Sequence, residues 1–246
     1  MAVMSMGRCF YGEFDGEFDG EGAGGMWILR AAGRAAAPWS NGGGVTREIA
    51  AHPPGAGWDG FAWRVSLADV TRDGPYSPLP GVRRILTVVD GAGLELTVDG
   101  TARLLPGRSR PYAFPGGATT VSRLLDGPVV NLNVMLRDGR ATATVEVVAG
   151  SWSPEREPAP GPEPDGRVAG GLGTAGGPDL VGGPDPAGGL LVVALAGGTR
   201  LTVPGESEVR LERFDAVRWA GPDALPDGLR TDGTVAVVRL WGRPLG

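Results

Sequence analysis

Short apolar runs separated by turn residues at regular intervals dominate the stretch Phe61–Gly100. Three runs of β-type residues, Trp63–Leu67, Ile85–Val89 and Leu94–Val98, alternate with Asp-Gly, Gly-x-Gly and Pro-x-Pro-Gly sequences. Turns that recur about every eight to twelve residues are typical of antiparallel barrels and sandwiches. The stretch therefore predicts an all-β fold.

Composition limits the classes of protein to which the chain can belong. Its 246 residues can bury a core as one large or two small β domains. A formal charge of −5, without any basic block, provides no surface for nucleic acids or anionic membranes. The single cysteine, Cys9, excludes an intramolecular disulfide and a thiolate metal cluster. The longest apolar run, Leu190–Ala196, is too short to span a bilayer, and the first residues form no signal peptide, so we expect a cytoplasmic protein.

Breakers and strand-like runs divide the chain into four parts. Residues 1–25 contain the acidic, glycine-rich sequence GEFDGEFDGEG and are expected to be disordered. Residues 153–189 are dense in Pro and Gly and are interpreted as a flexible loop. The β-type runs predict a first barrel over 26–152 and a second over 190–246.

An internal repeat supports two barrels. Ile85–Gly116 and Leu190–Gly221 resemble each other without a gap at a fixed offset of 105 residues, and Leu-Thr-Val-x-Gly occurs in both. A repeated supersecondary unit of this length indicates two copies of one β-barrel.

Three successive glycines, Gly42–Gly44, raise the question of a phosphate-binding loop. No Lys-Ser/Thr pair follows them, and the strand-like run Val45–Ala50 stands where a P-loop has a helix. We predict instead a close backbone approach or a bulge at the start of a strand, with Asn41 holding the turn by a local hydrogen bond.

Several separate motifs, in order, resemble the HutD/Ves family. They are Pro38-Trp-x-Asn-Gly-Gly-Gly-x-Thr-Arg-Glu-Ile49, Phe61-x-Trp-Arg-Val-Ser-Leu-Ala68, Asp73-Gly-Pro-Tyr-Ser77, Leu79-Pro-Gly-Val-x-Arg84, Leu124-Leu-Asp-Gly-Pro128 and Leu132-Asn-Val-Met135. The resemblance covers residues 27–140 well and 190–241 in outline. It implies a double-cupin (bicupin) fold of two jelly-roll-like barrels. The family is linked with histidine-utilisation operons and stress-inducible genes, which implies a sensing or regulatory role involving a small carboxylate.

Many cupins bind a metal through two His spaced by one residue, a Glu and a third His. This chain has one histidine, His52, which lies in a Pro-rich stretch and is expected to be an exposed loop residue. Counting back from the turn glycine Gly91, the Glu position falls on Arg84 and the His positions fall near Ser77 and Leu79. We therefore expect no metal and no other cofactor. An inward cation at Arg84 would repel a metal and attract a carboxylate.

Arg84 and Arg64 are the principal candidates for ligand contacts, because a guanidinium matches a carboxylate with two parallel hydrogen bonds. The alternatives are an internal ion pair, for example with Glu48, or an exposed strand position. Glu48 is itself a candidate for the ligand site, and Glu48 or Glu95 could carry acid–base chemistry.

Neutral polar residues complete the candidate site. They are Ser66, Ser77, Asn131 and Asn133, each of which could alternatively be a satisfied structural group. Period-two alternation puts Ser66 on one strand face with Arg64, opposite Trp63, and it puts the two asparagines on one face of their own strand. We expect all of these side chains to point into the first barrel near Arg84.

The sequence favours binding over catalysis, because Ser66 and Ser77 lack a Gly-x-Ser-x-Gly elbow. The first hypothesis is a metal-free bicupin that binds a small anionic metabolite in a sensing or regulatory role. The alternatives are a metal-independent cupin isomerase or lyase, and a structural or interaction protein with a fully packed barrel. A homodimer is compatible with the sequence, and the identity of the ligand stays open.

Overall fold

β-Strands are the regular elements of residues 26–108, 110–154, 188–221 and 225–242, the parts of the chain that the computed structural model describes. The strands of the first half are β1 (Met26–Leu29), β2 (Ala37–Pro38), β3 (Gly44–His52), β4 (Trp63–Val70), β5 (Gly74–Pro75), β6 (Val82–Asp90), β7 (Gly93–Val98), β8 (Thr101–Pro106), β9 (Tyr112–Pro115), β10 (Thr120–Leu124), β11 (Val129–Arg137) and β12 (Ala141–Trp152). The second half contributes β13 (Gly189–Ala194), β14 (Thr199–Thr202), β15 (Val209–Leu211), β16 (Ala216–Ala220) and β17 (Leu229–Gly242). The prediction of an all-β fold is confirmed.

These strands form three antiparallel sheets. A six-stranded sheet runs in the order β2-β3-β4-β11-β6-β9, and a four-stranded sheet runs β5-β10-β7-β8. Together they enclose the first barrel core, which includes Leu86 and Val88 from one sheet and Leu94 and Leu96 from the other. A seven-stranded sheet in the order β1-β16-β13-β17-β14-β15, with β12 on β17, surrounds the second core.

The two barrels share a third apolar core between them. The outer face of the six-stranded sheet contributes fully buried residues such as Trp63 and Val65, and the seven-stranded sheet contributes Leu191 and Val193. Two sheets that each carry apolar residues on both faces can bury both only by packing against one another as well as closing inward. The barrels are therefore joined by a hydrophobic interface rather than by the connecting chain alone.

The boundary placed at residue 152 does not match the sheets. The strands β1 and β12, assigned from sequence to the first barrel over 26–152, pair with β16 and β17 of the seven-stranded sheet. β12 pairs with β17 along its whole length, Ala141–Trp152. Strands of the first half therefore complete the second barrel. The edges of β16 and β17 that pair with β1 and β12 carry backbone groups for which residues 190–246 supply no partner strand.

The internal repeat is real in topology but shifted by one residue in part of its length. β6 pairs with β9 so that Arg84 lies opposite Phe114, and β13 pairs with β16 so that Leu190 lies opposite Trp219. The structural counterpart of Arg84 is therefore Leu190. The gapless offset had aligned Ile85 with Leu190, which point to different cores. Because strand faces alternate, a shift of one residue reverses the face of every side chain.

The core shared by the two barrels contains a hydroxyl without a hydrogen-bond partner. Thr87 is fully buried, and its Oγ1 has no hydrogen-bond partner among the described residues. The same register makes Val193 its counterpart in the second half. We expect Thr87→Val to raise the free energy of unfolding by about 1 kcal/mol, since an isosteric methyl replaces a desolvated hydroxyl.

Urea denaturation of the Thr87→Val variant and the wild type measures this effect. Thr120→Val is the matched control: Thr120 is also buried, but its Oγ1 donates to the Ala118 carbonyl at 3.1 Å, so the same change should destabilise. A Thr87→Val variant that loses as much stability as the control would contradict the assignment.

The glycine-rich stretch forms the predicted close approach. A Cβ added to Gly44 would lie 2.1 Å from the Asp69 carbonyl oxygen, so only glycine fits there. Asn41 Oδ1 accepts a hydrogen bond from the Gly43 N–H at 2.9 Å, as expected. The register of β3 against β4 then shifts between Glu48 and Ala50, which is a bulge.

Residues 1–25 and nearly all of 153–189 lie outside the described residues. Within the described part of the chain, no helix combines the length and the apolar character needed to cross a membrane.

Candidate functional site

One face of the six-stranded sheet carries a group of polar side chains toward the interior of the first barrel. We call this group the polar face: Glu48, Arg64, Ser66, Arg84, Asn131 and Asn133. Strand register brings them together. Asn133 on β11 lies opposite Ser66 on β4 and Leu86 on β6, and Met135 lies opposite Arg64 and Arg84. Glu48 on β3 lies opposite Ser66.

The predicted face sharing is confirmed for these strands. Arg84 lies on the side of β6 that contributes Leu86 and Val88 to the first barrel core. Trp63 lies on the opposite side of β4 from Arg64, in the core shared by the barrels.

Arg84 is a buried cation without an anionic partner. Arg84 is 8% exposed, and no carboxylate of the described residues forms an ion pair with it. Nη2 donates a hydrogen bond to Asn133 Oδ1 at 3.3 Å, and Nε has no partner. Cζ lies 4.8 Å from the centre of the Tyr76 ring and 5.5 Å from that of Phe114. Aromatic faces, rather than a carboxylate, support the charge.

Burial lowers the pKa of the Arg84 guanidinium from its ordinary value, and the neighbouring Tyr76 opposes that shift. An arginine nevertheless keeps its proton at neutral pH. The interior of the first barrel therefore holds a permanent positive charge with at least one unused donor.

Tyr76, which the sequence reasoning missed, is part of this site. Its hydroxyl lies 3.5 Å from Asn131 Nδ2. Burial raises the pKa of Tyr76, while the charge of Arg84 and the hydrogen bond with Asn131 act against that rise. The phenol thus stays protonated at neutral pH and can donate a hydrogen bond to an anion.

Ser77, placed near Arg84 by the sequence analysis, is exposed. It immediately follows Tyr76 in a short extended segment, where neighbouring side chains point in different directions. The Asp73–Ser77 motif was the available signal for this segment, but the residue that contacts Arg84 is Tyr76.

Arg64 is in a different electrostatic state from Arg84. Its guanidinium forms an ion pair with the Glu48 carboxylate, and its Cζ lies 4.8 Å from the centre of the Trp58 ring. The Arg64 side chain is 14% exposed and that of Glu48 is 33% exposed, so the pair lies at the rim of the barrel. An internal ion pair with Glu48 was the alternative to ligand contact for both arginines, and the structure contains it for Arg64.

The neutral candidates are buried around Arg84. Ser66 is 1% exposed, Asn131 is fully buried and Asn133 is 3% exposed. Asn131 Oδ1 has no hydrogen-bond partner within the described residues. Buried polar atoms in native proteins are rarely left without partners. Arg84 and Asn131 both lie next to Tyr76, and each keeps one such atom, so a ligand with an acceptor for Arg84 Nε and a donor for Asn131 Oδ1 would complete this position.

The described residues of the second barrel bring no comparable polar group into its core. Its core consists of aliphatic side chains around Trp219, and Leu190 stands where the first barrel has Arg84. The two barrels therefore differ in the polarity of their interiors, and the candidate site residues lie in the first.

The side chains present do not fit the metal that many cupins hold. Among the described residues, no three of His, Cys, Asp and Glu lie close enough together to hold a metal ion. His52 is half-buried rather than an exposed loop residue: it ends β3 and stacks on Trp63 with ring centres 6.1 Å apart. Since Trp63 belongs to the core between the barrels, the imidazole is on the wrong side of the sheet for a site around Arg84.

The expectation that the protein carries no stoichiometric transition metal remains a prediction. Elemental analysis of the purified protein checks it, with an expected content well below one atom of Fe, Mn, Ni or Zn per chain. About one atom per chain, lost on treatment with a chelator, would contradict it.

Comparisons with known proteins agree with this fold. The family model described as HutD matches residues 31–159. An uncharacterized 21.2 kDa protein in the hutC 3' region of Pseudomonas putida is 30% identical over 220 residues, which cover 89% of this chain and 98% of that protein. Protein Ves from Cronobacter sakazakii is 36% identical over 110 residues, which cover 44% of this chain and 59% of Ves.

Solved structures extend the comparison to nearly the whole chain. HutD from Pseudomonas fluorescens SBW25 superimposes with a TM-score of 0.66 and 28% identity over 89% of this chain and all of that one. A conserved protein of unknown function from Pseudomonas aeruginosa PAO1 gives the same TM-score and identity over 88% of this chain and 98% of that one. By its sequence and its structure, the chain belongs to the HutD family, within the cupin fold.

Proposed function

We propose that this protein binds a small carboxylate metabolite on the polar face of the first barrel, without a metal, and that binding serves a sensing or regulatory role. The observation that carries the proposal is Arg84, a buried guanidinium with no carboxylate partner in the described structure. Removing a charge from water costs several kcal/mol unless a counter-charge accompanies it. A bound carboxylate would supply that counter-charge.

The surrounding groups suit a carboxylate. Arg84 Nε is free to donate, and the protonated Tyr76 hydroxyl is a second donor. Hydrogen bonds between a charged donor and a carboxylate contribute about 1.5–3 kcal/mol each. Two such bonds would place the affinity for a small acid in a range that solution methods can measure.

The regulatory part of the proposal is supported by the family. The Pseudomonas putida relative is described by its position in the hutC 3' region, which favours a link with histidine utilisation. A protein that binds an acid without converting it is suited to report the concentration of a metabolite.

The enzymatic alternative, a metal-independent isomerase or lyase, would need a base beside the ligand. The imidazole of His52 lies on the other face of the sheet, against Trp63. The structural alternative, a barrel that is only packed, would leave the charge of Arg84 uncompensated.

Titration calorimetry and thermal unfolding with acetate and formate test the proposal; formate is also named as the condition of the Pseudomonas fluorescens HutD structure. We expect saturable binding and a rise in Tm, because a ligand that binds only the native state stabilises it. Acetamide, neutral and of nearly the same shape as acetate, is the matched control and should produce neither effect. Equal responses to acetate and acetamide, or none to either acid, would contradict the proposal. Proton NMR that shows chemical conversion of a bound acid would favour the enzymatic alternative.

A further inference from the structure

The ion pair between Glu48 and Arg64 lies on the same sheet face as Arg84, and the strand register fixes the spacing between the two arginines. Arg84 on β6 and Arg64 on β4 both lie opposite Met135 on β11, so two strand spacings separate them. At roughly 4.8 Å per spacing, their Cα atoms are about 10 Å apart. Two arginines whose Cα atoms are this far apart on one face could together hold the two ends of a short dicarboxylate.

Glu48 prevents that use of Arg64. Its carboxylate already neutralises the Arg64 guanidinium, so a second ligand carboxylate arriving there would meet an ion pair with no net charge. A carboxylate that gives up its hydration there without gaining a counter-charge binds weakly.

The opposite wall of the barrel contributes little charge. The four-stranded sheet faces the polar face with residues such as Leu94, Leu96 and Ser122. Its one interior-facing cation is Arg103 on the edge strand β8, which is exposed and lies over the Tyr112 ring at 4.8 Å. Solvent screens an exposed charge of this kind. Of the two guanidinium groups on the polar face, Arg84 is therefore the one that is buried and has no carboxylate partner.

We infer that Glu48 is a specificity-determining residue that restricts this site to ligands with one carboxylate. The inference rests on the proposed function, because it concerns which carboxylates the polar face accepts. Arg84 holds the carboxylate, and the Glu48–Arg64 pair presents a neutral rim to the rest of the ligand. Compounds with a carboxylate at one end and an uncharged group at the other are the class that fits.

Titration of butyrate and succinate, two acids with four carbons each, at constant ionic strength and neutral pH tests the inference. We expect the wild type to bind butyrate at least about tenfold more tightly than succinate. In Glu48→Gln, Arg64 is released, and succinate should gain at least about tenfold relative to butyrate. In the double variant Glu48→Gln/Arg64→Gln that gain should disappear, since no second cation remains. Arg103→Gln is the control variant and should keep the wild-type ratio.

The outcomes separate the inference from the proposed function. Wild-type protein that binds neither acid contradicts both. Wild-type protein that binds succinate as tightly as butyrate contradicts the role of Glu48 alone. A gain in Glu48→Gln that persists in the double variant, or a ratio that changes in Arg103→Gln, likewise overturns the assignment to the Glu48–Arg64 pair. Circular dichroism of each variant confirms that the comparison is made between folded proteins.

Discussion

Replacing Arg84 with alanine is expected to reduce acetate binding by at least about a hundredfold while leaving the fold intact. The side chain supplies the buried, uncompensated cation of the polar face, and both its charge and its charge-assisted hydrogen bond to the ligand are lost with it. Arg84→Lys should restore binding in part, because an ammonium keeps the charge but lacks the planar fork. Calorimetric titration with acetate measures both effects.

The stability of the Arg84 variants provides an independent check. Truncation removes packing against Tyr76 and Phe114, but it also removes a desolvated charge without a counter-ion. Arg84→Met, which keeps most of the volume, should therefore be as stable as the wild type or more stable by about 1–2 kcal/mol. Ser77→Ala, an exposed change in the segment beside Tyr76, should leave both binding and stability unaltered. Undiminished acetate binding by Arg84→Ala would remove the basis of the anion site.

Replacing Asp215 with alanine is expected to lower the free energy of unfolding by about 2–4 kcal/mol. This residue is 2% exposed and fixes the segment after β1 to the second barrel. Its carboxylate accepts hydrogen bonds from the Arg30 guanidinium at 2.7 Å, the Ala31 N–H at 2.6 Å and the Glu212 N–H at 3.0 Å. Alanine leaves these donors without their partner, and each loss costs about 1–3 kcal/mol when the group is buried.

The effect of Asp215 depends on pH in a defined direction. Burial by itself raises the pKa of this carboxyl, but the hydrogen bonds from Ala31, Arg30 and Glu212 and the charge of Arg30 outweigh burial and lower it. A carboxyl with a lowered folded-state pKa stabilises the protein above its unfolded-state pKa, about 3.9. That stabilisation is lost as pH falls through the folded-state pKa.

Chemical denaturation of the wild type and Asp215→Asn between pH 3 and pH 7 measures this dependence. The difference in stability between the two proteins should be constant above about pH 5 and shrink below about pH 4. Glu95→Gln, which removes the exposed ion pair with Arg123, is the matched control and should have little effect at any pH. A difference that grows as the solution becomes more acidic would contradict this account of the carboxylate.

Local alternation in the sequence was sufficient to predict the strands and the face on which most site residues lie. A strand repeats every two residues, so Arg64 and Ser66, and likewise Asn131 and Asn133, had to share a face whatever the rest of the fold. Turn chemistry between short apolar runs was enough to indicate barrels, and the structure confirms both. These features depend on neighbours a few residues away.

Three features could be decided only by the tertiary structure. Strand pairing assigned Glu48 to Arg64 and left Arg84 without an anion, although both pairings were compatible with the sequence. The folded segment after β5 turned Tyr76, and not Ser77, toward Arg84. The pairing of β6 with β9 and of β13 with β16 identified Leu190 as the counterpart of Arg84, which the linear offset had missed by one residue.

The physical reason is the range of the interactions involved. Alternation follows from backbone geometry within one strand, and it survives any change of partner strand. Register, sheet membership and ion pairing depend on residues far apart in the chain, as in the pairing of β12 with β17 and the ion pair between Asp215 and Arg30. A register shift of one residue turns every side chain of a strand to the other face of the sheet. The sequence of this protein therefore determined that polar side chains would line the first barrel, and only the packed sheets decided which cation among them was left for a ligand.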